Sequence, residues 1–135
     1  MKTLFVGLRV TDLDSSLAFY AALGYVELGR VAFDDGSRLV LLRFLDEQMA
    51  TLELVHRPAD GGVDVGTGHD HPAIQVDDLE ATLERLTAFD CEPVQRPAGP
   101  DGPRTSFVSD PDGYRIELVQ WPPGHPDGIT TADFS

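Results

Sequence analysis

Along the first part of the chain, apolar residues alternate with polar or small ones, shift to helical spacing, and then alternate again. In residues 4–10, Val6, Leu8 and Val10 fall on one face of a strand, and Phe5, Gly7 and Arg9 on the other. Thr11 can cap a following helix with Asp14 three residues on. Leu13, Leu17, Tyr20 and Ala21 supply its apolar stripe, and Gly24 after Leu23 ends it. Alternation returns in residues 25–33, 38–45 and 49–56, and Asp34-Asp35-Gly36 turns the first of these into the second. Residues 4–57 therefore read as β-α-β-β-β.

Residues 58–70 are rich in glycine and proline and read as a linker. The pattern then restarts: a strand over 71–76, and a helix capped by Asp77 with Glu80 following and Leu79, Leu83 and Leu86 as its stripe. Strands over 92–95, 104–109 and 114–121 complete the second module, with Asp110-Pro111-Asp112-Gly113 as a turn before the last. Residues 122–135 form a Pro/Gly-rich tail where no regular structure is expected.

The two halves repeat one another. Val10-Thr11-Asp12-Leu13-Asp14 returns as Val76-Asp77-Asp78-Leu79-Glu80, and Thr51-Leu52-Glu53-Leu54-Val55 as Arg115-Ile116-Glu117-Leu118-Val119. The expected fold is α+β: a single domain, residues 1–135, of two βαβββ modules, each a curved mixed sheet with its helix on the convex face. The helix-facing residues are Val6, Leu8, Val10, Leu52, Leu54, Ile74, Val76, Ile116 and Leu118. The opposite face carries Phe5, Arg9, Glu53, His71, Gln75 and Glu117.

Charged residues on an inward strand face need a partner, a metal or water. Glu53, His71 and Glu117 suit a divalent ion of borderline character, and three ligands with open positions is a catalytic rather than a structural pattern. The repeat pairs Glu53 with Glu117 and His71 with Phe5, so a cluster of four is short by one polar member. The plain alternative is that both glutamates face solvent and His71 caps a loop. His69 has the parity of His71 and is the alternative ligand. His56 and His125 are expected at the surface, and Cys91 is expected to be buried and inert.

Composition narrows the classes. The chain has 135 residues, 41% hydrophobic and 24% charged, a globular profile. No apolar run approaches the roughly 18 residues of a membrane span, and the N-terminus reads as a strand, not a signal peptide. A single cysteine excludes an internal disulfide and fits a reducing cytoplasm. The net charge of −13 repels phosphate backbones and argues against nucleic acid as a partner. No Ser-His-Asp arrangement, P-loop or dinucleotide fingerprint is visible.

The segments LRVTDLDSSLAFYAALGY, HPAIQVDDLEATLERL and FVSDPDGYRIELVQ resemble the vicinal oxygen chelate superfamily, which includes glyoxalase I, extradiol dioxygenases and the bleomycin- and fosfomycin-resistance proteins. The spacing over residues 4–121 is most similar to bacterial glyoxalase I (lactoylglutathione lyase). The resemblance implies paired βαβββ modules in a homodimer whose metal sites are shared between subunits. It implies one divalent ion, nickel or zinc first, with cobalt, manganese or iron as alternatives. It places Glu53, His71 and Glu117 on three of four ligand positions, Glu117 on the catalytic base, and Arg9 on a contact to a carboxylate of the thiol. The fourth ligand position falls on Phe5, an apolar side chain that can stack on a flat substrate or ligand. The implied activity is isomerisation of a hemithioacetal of a 2-oxoaldehyde and a small thiol. The competing expectation is a binder that sequesters an antibiotic or metabolite without turnover. Dioxygenation is less expected, because it usually takes two histidines and one glutamate.

Overall fold

A computed structural model describes residues 1–134. Two compact units are present: residues 1–69 with 110–113, and residues 70–109 with those from Tyr114 on.

The first unit runs β1 (Val6–Arg9), α1 (Leu13–Leu23), β2 (Tyr25–Ala32), β3 (Arg38–Phe44) and β4 (Leu52–His56). Its sheet has the order β1-β4-β3-β2, with β1 parallel to β4 and the other pairs antiparallel. The second runs β5 (Ala73–Gln75), α2 (Leu79–Arg85), β6 (Val94–Arg96), β7 (Arg104–Ser109) and β8 (Arg115–Gln120), in the order β5-β8-β7-β6. Each is a four-stranded mixed sheet with one helix, so the expected α+β fold of two repeated βαβββ modules is what forms.

Each helix packs on its own sheet, α1 on β2 and β4, α2 on β7 and β8. Leu8, Val10, Leu52 and Leu54 are buried in the first unit, and Ile74, Ile116 and Leu118 in the second. Burying such a side chain contributes roughly 1.5–3 kcal/mol. Val6 departs from its expected place and is 47% exposed, at the start of an edge strand.

The helix starts fall one residue later than the spacing suggests. Asp12 caps α1, its carboxylate accepting from Ser15 N–H at 3.1 Å. The Thr11 hydroxyl is occupied elsewhere, accepting from Val63 N–H at 2.8 Å. Asp78, not Asp77, caps α2 by accepting from Ala81 N–H at 3.0 Å. The buried stripe of α1 is Leu13, Ser16, Phe19, Tyr20 and Leu23; Leu17 is half-buried and Ala21 exposed. The bulky Phe19 and Leu23 turn toward the sheet and rotate the stripe. In α2, Thr82 is buried and Leu83 only half so, because the Thr82 hydroxyl is satisfied by donating to Asp78 O at 2.8 Å. Gly24, at φ 123°, ends α1 and donates to Tyr20 and Ala21 carbonyls, a conformation that glycine adopts readily.

Several strands are shorter than their patterns. The strand expected from residue 71 begins at Ala73, because Pro72 has no N–H for the ladder; its carbonyl still accepts from Glu117 N–H at 3.0 Å. The linker contains a 3-10 turn, Pro58–Asp60, and the tail another, Thr131–Phe134, where none was expected. The 110–113 turn belongs to the first unit. Tyr20 donates its hydroxyl to buried Asp110 at 2.7 Å, and Thr11 N–H reaches the Asp112 carboxylate at 3.2 Å.

Candidate metal and substrate site

In the first unit, parallel pairing sets Gly7 beside Glu53. Glu53 is half-buried, and its Oε1 lies 3.2 Å from where a Cβ on residue 7 would stand. The carboxylate therefore lies over the glycine, in space that any larger side chain would contest. Phe5, 37% exposed, and Arg9 lie two residues either side of Gly7. The Arg9 guanidinium donates to the carbonyls of Gly61 and Gly62, each at 3.2 Å, and is anchored to that loop. Glu53, Val55, Arg57, Arg38, Phe33 and Leu39 line an open pocket of about 300 Å³.

In the second unit, Ala73 stands beside Glu117 as Gly7 stands beside Glu53. His71 precedes Ala73 by two residues, as Phe5 precedes Gly7, so the correspondence read from the repeat holds in the strand register. His71 Nε2 lies 3.2 Å from Glu117 Oε2, and both side chains are part-exposed. Two donors about 2.1 Å from one ion stand about 3.0 Å apart at a right angle and about 3.4 Å apart at a tetrahedral one, so this spacing suits a pair of metal ligands.

Sequence reasoning missed two neighbours of His71. Asp70 Oδ1 is 2.5 Å from His71 Nδ1. A tautomer with Nδ1–H given to Asp70 would leave the Nε2 lone pair for an ion bound between it and Glu117, the second-partner arrangement that orients metal-binding histidines. The adjacency of Asp70 and His71 was the available signal. Phe107 meets the imidazole edge-to-face at 5.0 Å, and the guanidiniums of Arg96 and Arg115 lie 4.9 and 4.4 Å from the centre of its ring. Phe107 pairs with Glu117 across β7 and β8, so strand alternation could have placed it on this face.

The structure brings His71 and Glu117 together within the second unit; Glu53, Arg9 and Phe5 belong to the first. Among the described residues, no group of three or more His, Cys, Asp or Glu side chains gathers as a metal site. His69 is exposed, and His71 is the histidine at Glu117. Two other histidines depart from expectation. His56 is half-buried with its Nδ1 enclosed and without a partner among the described residues. The His125 side chain is 17% exposed because it packs into the tail. Cys91 is buried as expected, and burial pushes its thiol pKa up, away from the reactive thiolate.

Residues 3–118 match the family model described as Glyoxalase/Bleomycin resistance protein/Dioxygenase superfamily. A probable lactoylglutathione lyase of Vibrio parahaemolyticus is 38% identical over 125 residues, 88% of this chain and 90% of that protein. A lactoylglutathione lyase of Haemophilus influenzae is 38% identical over 126 residues, 89% of this chain and 93% of the relative. Among solved structures, the trypanothione-dependent glyoxalase I of Leishmania major superposes with a TM-score of 0.73 at 30% identity, covering 89% of this chain and 86% of that one. With its paired modules and a family match spanning nearly the whole repeat, the chain belongs to the Glyoxalase/Bleomycin resistance protein/Dioxygenase superfamily.

Proposed function

We propose that the protein is a lactoylglutathione lyase-type enzyme that isomerises a hemithioacetal of a 2-oxoaldehyde and a small thiol. The observation that carries this reading is the His71–Glu117 pair at 3.2 Å, with Asp70 behind the imidazole and Glu53 at the register-equivalent position of the other module. Glu53, His71 and Glu117 would hold one divalent ion, nickel or zinc first, then cobalt, manganese or iron. In this reading the protein works as a homodimer. When bound, the ion supplies a Lewis acid for the substrate's two neighbouring oxygens.

The chain's own residues do the rest. Glu117 takes the proton from the carbon that bears sulfur and oxygen, and returns it to the adjacent carbon. The carbonyl thereby moves next to sulfur, the hydroxyl moves one carbon on, and a 2-hydroxyacyl thioester leaves with no net gain or loss of atoms. Arg9, fixed by Gly61 and Gly62, presents its positive charge to a carboxylate of the thiol. Phe5 lines the substrate's apolar side in place of a fourth ligand. The net charge of −13 and the single cysteine go with a cytoplasmic enzyme of small molecules.

Elemental analysis of untagged protein, purified without added metal, tests the reading together with a hemithioacetal assay. About one ion per chain and isomerase turnover support it. Protein that stays metal-free in added nickel or zinc overturns it, and leaves a sequestering binder with Phe5 in its pocket.

A further inference from the structure

The tail is tied to the second unit through one side chain of the site face. Gln75 on β5 lies two residues beyond Ala73, on the same side as His71 and Glu117 by strand alternation. Its Oε1 accepts from Trp121 Nε1–H at 2.7 Å and from Gly128 N–H at 2.8 Å, while its Nε2 donates to Asp127 Oδ1 at 2.8 Å. One strand residue thus holds three points of the C-terminal segment.

A second knot lies within the segment. The His125 ring stacks on Trp121, centroids 4.2 Å apart and planes 12° from parallel. His125 Nδ1 is 2.6 Å from the Pro126 carbonyl oxygen, and Nε2 is 2.5 Å from Asp133 Oδ1. A neutral imidazole carries one N–H, yet a carbonyl and a carboxylate can only accept. Asp133 is held as a carboxylate: Thr130 N–H donates to its other oxygen at 2.7 Å, and this bond first, then His125, keeps its pKa below the usual range. The imidazolium, with two N–H donors, satisfies both contacts at once. The hydrogen bond to Asp133 raises the His125 pKa in the same sense.

We propose that residues 121–134 form a proton-locked strap over the Gln75 end of the His71–Glu117 face, closed while His125 is an imidazolium and released when it is neutral. The groups facing His125 are Asp133 from the terminal 3-10 turn, the uncharged Trp121 from the end of β8, and the Pro126 carbonyl. Asp127 turns its carboxylate to Gln75. Because the folded pKa is raised, the stabilisation is complete below the ordinary histidine value and is lost as pH rises through the folded value. Opening frees the Gln75 amide and widens that end of the face. The strap is built from the second unit alone and does not depend on which ligand the face takes.

Trp121 is the only tryptophan in the chain, so its emission reads the strap directly. In the full-length protein, a titration from about pH 5 to pH 9 is expected to show one transition, with its midpoint above the ordinary value of about 6.5. The emission shifts to the red as the indole loses His125 and Gln75. His125→Gln removes the transition, and Asp133→Asn moves the midpoint down. Hydrogen-exchange protection of the Gly128 amide falls across the same pH range in the parent protein, and is low throughout in Gln75→Ala. A parent protein with no transition, or a transition unchanged in His125→Gln, overturns the proposal. Circular dichroism confirms that the variants keep both sheets.

Discussion

The two modules share a sheet order and the register that carries a glutamate, and they furnish that register differently. Glu53 lies over Gly7, with Phe5 two residues upstream. Glu117 lies against His71, with Asp70 fixing the imidazole and Phe107 meeting its edge. The two copies share the strand order and the carboxylate position, while the residues around each carboxylate differ. The first half supplies an acid with room around it; the second supplies an acid already paired with an oriented nitrogen. One repeated fold thus yields two unequal carboxylates, of which Glu117 has a histidine nitrogen at 3.2 Å.

Exchanging the glutamates for glutamines breaks the comparison most severely. Glu117→Gln is expected to cut isomerase turnover by about 10²–10⁴-fold, the scale of a lost general base, with unchanged circular dichroism. Glu53→Gln is expected to weaken metal binding and leave turnover measurable at saturating metal. Equal losses of turnover from both substitutions would remove the distinction between the halves. Asp70→Asn comes next. It keeps the size of the side chain but replaces the carboxylate that faces Nδ1, and metal affinity measured by calorimetry is expected to fall about 10–100-fold. An unchanged affinity would reduce the Asp70–His71 contact to a loop feature.

Phe5→His tests the missing member directly. If Phe5 is the counterpart of His71, an imidazole there adds a fourth ligand and tightens nickel or zinc binding by about tenfold or more. An unchanged affinity would count against the correspondence as a functional one, even though the register places both residues two positions before their glutamate's neighbour.

The same contrast explains what the sequence made legible. Glu53 and Glu117 were readable because a strand repeats every second residue and the two copies preserve that phase, so side-chain direction followed from position alone. The helix caps were read one residue early because neighbouring polar residues offer the same chemistry, and only the fold shows that Thr11 serves Val63 while Asp12 serves Ser15. The start of β5 was read two residues early because Pro72, whose missing N–H cannot join the ladder, lies inside the expected strand. Asp70 required no periodicity, only the recognition that a histidine's second nitrogen needs a partner. The tail was illegible for another reason: its prolines and glycines predict irregular backbone, which is correct for most of it, while its order comes from side chains as distant as Gln75. Composition reports backbone preference and is silent on such anchors.

The smallest effect is expected from Gly7→Ala. Its backbone needs no positive φ, so alanine fits the strand. Restricting the unfolded chain should stabilise the protein by about 0.4–1 kcal/mol. The new Cβ, however, would stand 3.2 Å from Glu53 Oε1, closer than ordinary van der Waals contact. That oxygen is the far end of a flexible side chain, so the carboxylate can move aside at a cost of about 1 kcal/mol in rotamer strain. The two terms nearly cancel, so stability should change by less than about 1 kcal/mol, while metal affinity falls by about fivefold. Thermal unfolding without metal and calorimetric titration with nickel or zinc separate the two effects. Ala73→Gly, the mirror substitution in the second module, should lower stability and leave His71 and Glu117 binding as before. A loss of affinity in Ala73→Gly as large as that in Gly7→Ala would show that both glutamates answer to strand flexibility rather than to the space that Gly7 leaves for Glu53.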